Sequence, residues 1–290
     1  MTPPTGTRTS TTRQPRVAPP WLRRLGRYAL LTLIAAVFVG PFLILIATAL
    51  KPGTRPVYTF PPDLLPIPPV TDFLVEAWTS VPFARYLVNS LLYVVFTVPA
   101  YLVISALTAY PLARFRFPGR QFVFYAILST MFLAPEVMLI PRFLVVSQLD
   151  LVDTFAGVIL PGLLSATGVF LLRQAFAAIP QELPDSARVD GAGELRIFWH
   201  VMLPPVRPTL AVLAIFGFVN VWNQFLWPLV VLEDPDTYPV TLGLAYLAGT
   251  FGADSRAAAA GAVLAMVPVV AFFLLMQRHI IEGMSGALKG

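Results

Sequence analysis

Six runs, each of roughly 20 mostly apolar residues, dominate this chain, at 28–50, 86–110, 121–140, 155–175, 209–232 and 257–277. A helix needs about 20 such residues to cross the hydrocarbon of a bilayer, where no backbone amide or carbonyl can be left unpaired. The pattern predicts an all-α, polytopic membrane protein with six transmembrane helices. Composition agrees: 57% of the residues are hydrophobic and 12% charged, with a mean hydropathy of +0.75. That is far from the balance of a soluble domain.

The formal charge of +5 reflects arginines that flank the apolar runs, which fits membrane orientation and not a nucleic-acid face. Of the 20 lysines and arginines, only Lys51, Arg55, Arg85, Arg142 and Arg256 fall on the side opposite the amino terminus. The asymmetry predicts both termini in the cytoplasm. Residues 1–27, rich in Thr, Pro and Arg without an acid, read as a disordered cytoplasmic tail ahead of a membrane domain at 28–290. The first apolar run exceeds a signal-peptide core and reads as a retained anchor.

Several chemistries drop out. There is no cysteine, hence no disulfide, thiolate metal site or cysteine nucleophile. His200 and His279 are the only histidines and form no metal-binding or hydrolytic constellation. A phosphate-binding Gly-x-x-x-x-Gly-Lys-Ser/Thr needs a lysine in the loop, and neither Lys51 nor Lys289 has that setting. No catalytic residue, metal site or nucleotide site is expected in this chain.

Prolines interrupt the runs at Pro41, Pro99, Pro135 and Pro161, each removing an intrahelical hydrogen bond. The proline-rich stretch 51–69 reads as extended. After it, Thr71 is expected to cap a short helix carrying Phe73, Leu74, Ala77 and Trp78 on one side.

The polar stretch at 180–208 stands out between two apolar runs. Pro184 and Asp185 suit a helix start, Gly191 permits a reversal, and a second helix from Glu194 would carry Leu195, Phe198, Trp199 and Met202 on one face. Ile197 and Val201 fall on the opposite face, and Pro204, Pro205 and Pro208 end the helix. Spacing alone allows either a docking surface or an interfacial linker.

This stretch resembles the cytoplasmic signature of membrane subunits of bacterial ABC importers. Asp185-Ser186-Ala187 stands for the opening acid and two small residues, Asp190-Gly191-Ala192 for the central triplet, and Leu203-Pro204 for the close. Asp185 replaces the usual Glu and is one methylene shorter. Asn89-Ser90-Leu91, the segment from Ala109-Tyr110 to Gly119, Pro135, Pro141, Asp153-Thr154, Trp222-Asn223 and the tail from Gly283 are similar to the carbohydrate-uptake type 1 branch, the second membrane subunit of the maltose transporter in particular.

The resemblance implies a type I importer permease of the bacterial inner membrane that moves sugar by alternating access. It implies a second, homologous permease subunit, two ATPase subunits that hold ATP and Mg²⁺, and an external solute-binding protein. Asp185, Ser186, Ala187, Asp190, Gly191, Ala192, Leu203 and Pro204 would couple the ATPases to the spans. Asn89, Asn220, Trp222, Asn223 and Glu136 have two readings, a polar lining for the substrate or interhelical pairing and anchoring. Glycerol phosphate, disaccharides and longer oligosaccharides fit equally. The alternatives are a permease for a non-sugar solute and an ion-coupled secondary carrier, the latter poorly matched by a chain without evident inverted repeats.

Overall fold

A computed structural model describes residues 20–57, 60, 66–250 and 255–287, and helices account for nearly all of it, with no strand among the described residues. The expected tail at 1–27 lies outside the described residues up to 19, and residues 20–27 form the first turns of a helix. The chain divides into two units, 1–44 and 45–290. The first holds most of α1 (Pro20–Ala49), whose apolar side chains, such as Val37 and Phe38, are exposed.

The second unit is organised on α3 (Phe83–Arg114), a helix about 48 Å long at 1.5 Å per residue. It is preceded by α2 (Asp72–Thr79) and followed by α4 (Arg120–Ser129), α5 (Leu139–Gln148), α6 (Phe155–Ile159) and α7 (Ala166–Ala178). Then come α8 (Glu182–Val189), α9 (Glu194–Ile197), α10 (Arg207–Trp222), α11 (Leu226–Val231), α12 (Val240–Thr250) and α13 (Ser255–Ala287). Glycines let α7 and α10 approach α3: a Cβ on Gly168 would stand 2.8 Å from the Tyr101 ring, and one on Gly217 would stand 3.4 Å from it.

Three clusters line α3, the smallest joining Tyr93 to Val158 and Trp227. Ala109, Tyr110 and Leu112 pack with Leu172 and Phe176 of α7 and with Ile197, Phe198 and Met202 of the polar stretch. Nearer its amino-terminal end, Phe83, Tyr86 and Val98 pack with Phe218, Trp222, Leu247 and Ala260. Outward positions are apolar too: Phe122 is 78% and Phe132 90% exposed. A monomeric soluble protein does not carry that much exposed apolar surface, whereas lipid tails solvate it.

Four helical stretches are long and apolar enough to cross a membrane: Gly26–Ala49, Phe83–Arg114, Pro204–Trp222 and Ser255–Gln277. The pair Phe155–Gly162 and Ala166–Ala178, bent by 44°, makes a fifth if taken together. The expected continuous helix at 121–140 is absent. Ser129 and Thr130 turn their hydroxyls back onto Ala126 O and Ile127 O, and Leu133 is extended two residues before Pro135. The run at 209–232 likewise breaks at 223–225, where the Asn223 amide folds back on Val219 O. Thr71 precedes α2 as expected, but its side chain makes no capping bond; its carbonyl accepts from the Leu74 and Val75 amides instead.

Candidate docking loop and membrane cavity

The stretch at 180–208 forms by ordinary helix chemistry. In α8, Glu182 and Asp185 lie in the first turn at the positive end of the helix. The helix ends in a Schellman turn: Gly191, at φ +81°, donates its amide to Arg188 O, and Ala192 donates to Ala187 O. Ala187 and Ala192 then rest on the Ile197–Phe198 cluster. A Cβ on Gly191 would meet nothing within 4 Å, so it is the left-handed backbone, and no close approach within the chain, that asks for glycine there.

The apolar face of the second helix differs from the helical-wheel expectation. Ile197, Phe198 and Met202 are buried, whereas Leu195 and Trp199 are exposed. The pitch also changes after Ile197. Phe198–Met202 is a π-type turn in which the Leu203 amide donates to Phe198 O, five residues back, a departure from the 3.6-residue wheel. Leu203 and Pro204 follow on the same cluster and in a tight turn. Val189, 88% exposed, and Leu195, 72% exposed, project from an otherwise polar loop.

Charge ties the loop together and to α3. Arg188 pairs with Asp185 at 2.6 Å and with Glu194 at 2.8 Å, and the Tyr110 hydroxyl donates to Glu194 at 3.0 Å. The Arg188 partnership holds Glu194 below the usual carboxylate range, with the Tyr110 bond adding to it. Arg114, in the last turn of α3, donates to Gln181 Oε1 at 2.7 Å and to Phe176 O and Ile179 O. Ser186 bonds back to Leu183 O, and Asp190 is exposed and makes no ion pair with the described residues.

The other polar positions separate. Asn89 is buried and donates to Asp236 O at 2.8 Å and Tyr238 O at 3.0 Å, a clamp on the turn before α12. Trp222 is buried and stacks on Phe218 at 5.6 Å. Glu136 and Asn223 are exposed. Only Asn220 borders a cavity of about 530 Å³. This cavity opens where α6 and α7 are broken, among Thr97 and Tyr101 of α3, Arg142 of α5, Ser165, Thr167 and Asn220. Arg142 escaped the sequence reading, where it counted as an orientation charge; an arginine after Pro141 within an apolar stretch was the available signal. Among the described residues no group of three His, Asp or Glu could hold a metal ion.

Residues 77–286 match the family described as binding-protein-dependent transport system inner membrane component. This chain belongs to that family. The permease is 35% identical over 279 residues to the arabinooligosaccharides transport system permease protein of Halalkalibacterium halodurans, covering 93% of this chain and 96% of the relative. It is 34% identical over 241 residues to the sn-glycerol-3-phosphate transport system permease protein of Yersinia pestis, covering 80% and 86%. Its fold is similar to a chain of a bacterial ABC transporter involved in the import of the acidic polysaccharide alginate, with TM-score 0.78, 24% identity and coverage of 92% and 99%.

Proposed function

We propose that this permease carries a saccharide or a sugar-related polyol across the bacterial inner membrane, driven by ATP hydrolysis in separate subunits. Relatives named for arabinooligosaccharides and for sn-glycerol 3-phosphate support the substrate class. The chain pairs with a second permease subunit, two ATPases that hold ATP and Mg²⁺, and an external binding protein. Six crossings fit this reading when α4 with its continuation to α5 counts as one and the bent α6–α7 pair as another. Both termini and the 180–208 loop then face the cytoplasm, as the arginine distribution expects.

The observation that carries the reading is the mechanical continuity of the loop with α3. Asp185, Ser186, Ala187, Asp190, Gly191, Ala192, Leu203 and Pro204 build a rigid helix-turn-helix that presents Val189 and Leu195 outward, and Tyr110 and Arg114 fasten it to a membrane helix. A cleft on an ATPase subunit that closes on this loop therefore moves α3, and with it the walls of the 530 Å³ cavity. Alternating access follows from a bundle with two packings whose populations the ATPases bias. Asp185 is engaged by Arg188, so its carboxylate shapes the loop, while the unpaired Asp190 is left for a basic group on the partner.

Gly191→Val tests the coupling. Forcing a β-branched residue into φ +81° disturbs the turn without touching the spans. The variant is expected to insert and assemble with its partner permease but to lose transport-coupled ATP hydrolysis at least tenfold in proteoliposomes. Normal substrate-stimulated hydrolysis would remove the loop from the coupling path.

A further inference from the structure

Resting on the permease reading, we infer that the cavity between α3, α5, α7 and α10 binds an anionic saccharide, one bearing a carboxylate or a phosphate, and that Arg142 is the residue that selects the charge. Its lining contains one charged residue, Arg142, and no aspartate or glutamate. The Arg142 side chain is half-buried and makes no ion pair or hydrogen bond with the described residues. A guanidinium so placed keeps hydrogen-bond donors for a partner that arrives from outside the chain's own fold.

The guanidinium is held without using up its donors. Its carbon lies 5.2 Å from the centroid of the Trp227 ring, and Trp227 is itself buried, with its indole N–H donated to Gly157 O. Stacking engages the face of the guanidinium and leaves the N–H groups around its edge free. That planar fork matches the two oxygens of a carboxylate or phosphate. Arg142 also borders a second hollow of about 660 Å³, which shares Pro135 with the first.

The rest of the lining fits the neutral part of such a ligand. Thr97, Ser165 and Thr167 bring hydroxyls, and Asn220, whose amide donates to Phe216 O, keeps its carbonyl oxygen for a sugar hydroxyl. Tyr101 and the exposed Phe216 ring supply apolar faces for the C–H side of a pyranose. The volume lies within the range of small-molecule sites. The relatives above divide between a neutral oligosaccharide and a phosphate ester, and Arg142 places this chain with the charged class.

The test uses the whole assembly, with its own binding protein, in proteoliposomes. Uptake of a neutral trisaccharide, its uronate counterpart and sn-glycerol 3-phosphate is compared for the native chain, Arg142→Gln and Arg142→Lys. The native assembly should prefer one anionic probe at least tenfold over the neutral one, and which probe wins distinguishes carboxylate from phosphate. Arg142→Gln should erase that preference and Arg142→Lys restore part of it. The anionic probe should also change Trp227 fluorescence in the native complex without ATP. ATP-driven uptake that favours the neutral probe, or an Arg142→Gln loss equal for all three, overturns the anion site while leaving the permease reading intact. If no saccharide is taken up by an assembly that retains its ATPases, the permease reading itself fails.

Discussion

At its amino-terminal end α3 grips the segment before α12 with buried, neutral side chains. Asn89 donates to Asp236 O and Tyr238 O, Tyr93 donates to Thr237 O at 3.1 Å, and Ser90 accepts from the Val240 amide at 2.8 Å. Among the described residues the Arg85–Asp236 pair is the ionic one at that end, and it lies exposed. At the carboxy-terminal end Tyr110 meets instead a charged, half-exposed triad, Asp185–Arg188–Glu194. Neutral bonds shielded from water are insensitive to salt and pH, whereas exposed ion pairs are screened and individually weak. The contrast suits a helix fixed at one end and adjustable at the other, where another subunit is proposed to dock.

Asn89→Leu should break the neutral end most severely. It leaves the Asp236 and Tyr238 carbonyls without their Asn89 donor, a loss of about 2 kcal/mol in stability for two bonds. Thermal inactivation of the detergent-solubilised chain measures it, and the deficit should be the same at low and high salt. A deficit that vanishes with salt would mean that the amino-terminal end is not a neutral clamp.

Asp153 extends the same clamp to α11. It sits at φ +58° and its carboxylate accepts from the Glu233 and Asp234 amides, both at 3.0 Å; those bonds hold it below the usual carboxylate range. Asp153→Ala loses the oxygen that accepts both bonds and gains left-handed strain, about 1–2 kcal/mol together. Asp153→Asn keeps an oxygen and tolerates that backbone, so most of the stability should remain. Equal losses for the two would put the strain, not the bonds, at fault.

How far these features can be read from the chain depends on what sets them. The crossing at 86–110 is legible because hydrocarbon demands an unbroken apolar helix, and α3 supplies one. The break at 133–138 is legible only in part: Pro135 marks an interruption, but hydropathy averaged over 121–140 still reads as a span. It arises from hydroxyls at Ser129 and Thr130 and from Pro135, which a hydropathy average does not weigh. Gly191 is legible, because few residues other than glycine adopt φ +81° without strain. The buried face of 194–202 is not, because Ile197 packs against α3 and α7, which spacing within the stretch does not reveal. The Asn89 clamp and the Arg142 cavity depend on segments far apart in sequence, so spacing does not show which residues come together there.

Tyr110→Phe sharpens the comparison at the charged end. It removes one hydroxyl donor from Glu194 while preserving the ring that packs on Phe176 and Phe198, for a loss of about 1 kcal/mol. The loss should appear in loop protection by amide exchange, at residues 185–194, before it appears in global unfolding. Uniform loss across the chain would mean that Tyr110 serves the core and not the loop.

The smallest effect should be acid sensitivity confined to this loop. Glu194 is held below the usual carboxylate range by Arg188 first and Tyr110 after it. A depressed carboxylate contributes stability that is complete above its unfolded value and is lost as pH falls through its folded value. Exchange at 185–194 should therefore quicken below the ordinary carboxylate range in low salt. The amount is a fraction of a kcal/mol, as expected of half-exposed pairs. Glu194→Gln should flatten this dependence, and high salt should weaken it in the native chain, while the Asn89 end stays indifferent to both. Equal acid sensitivity at the two ends would erase the distinction between a fixed and an adjustable end of α3.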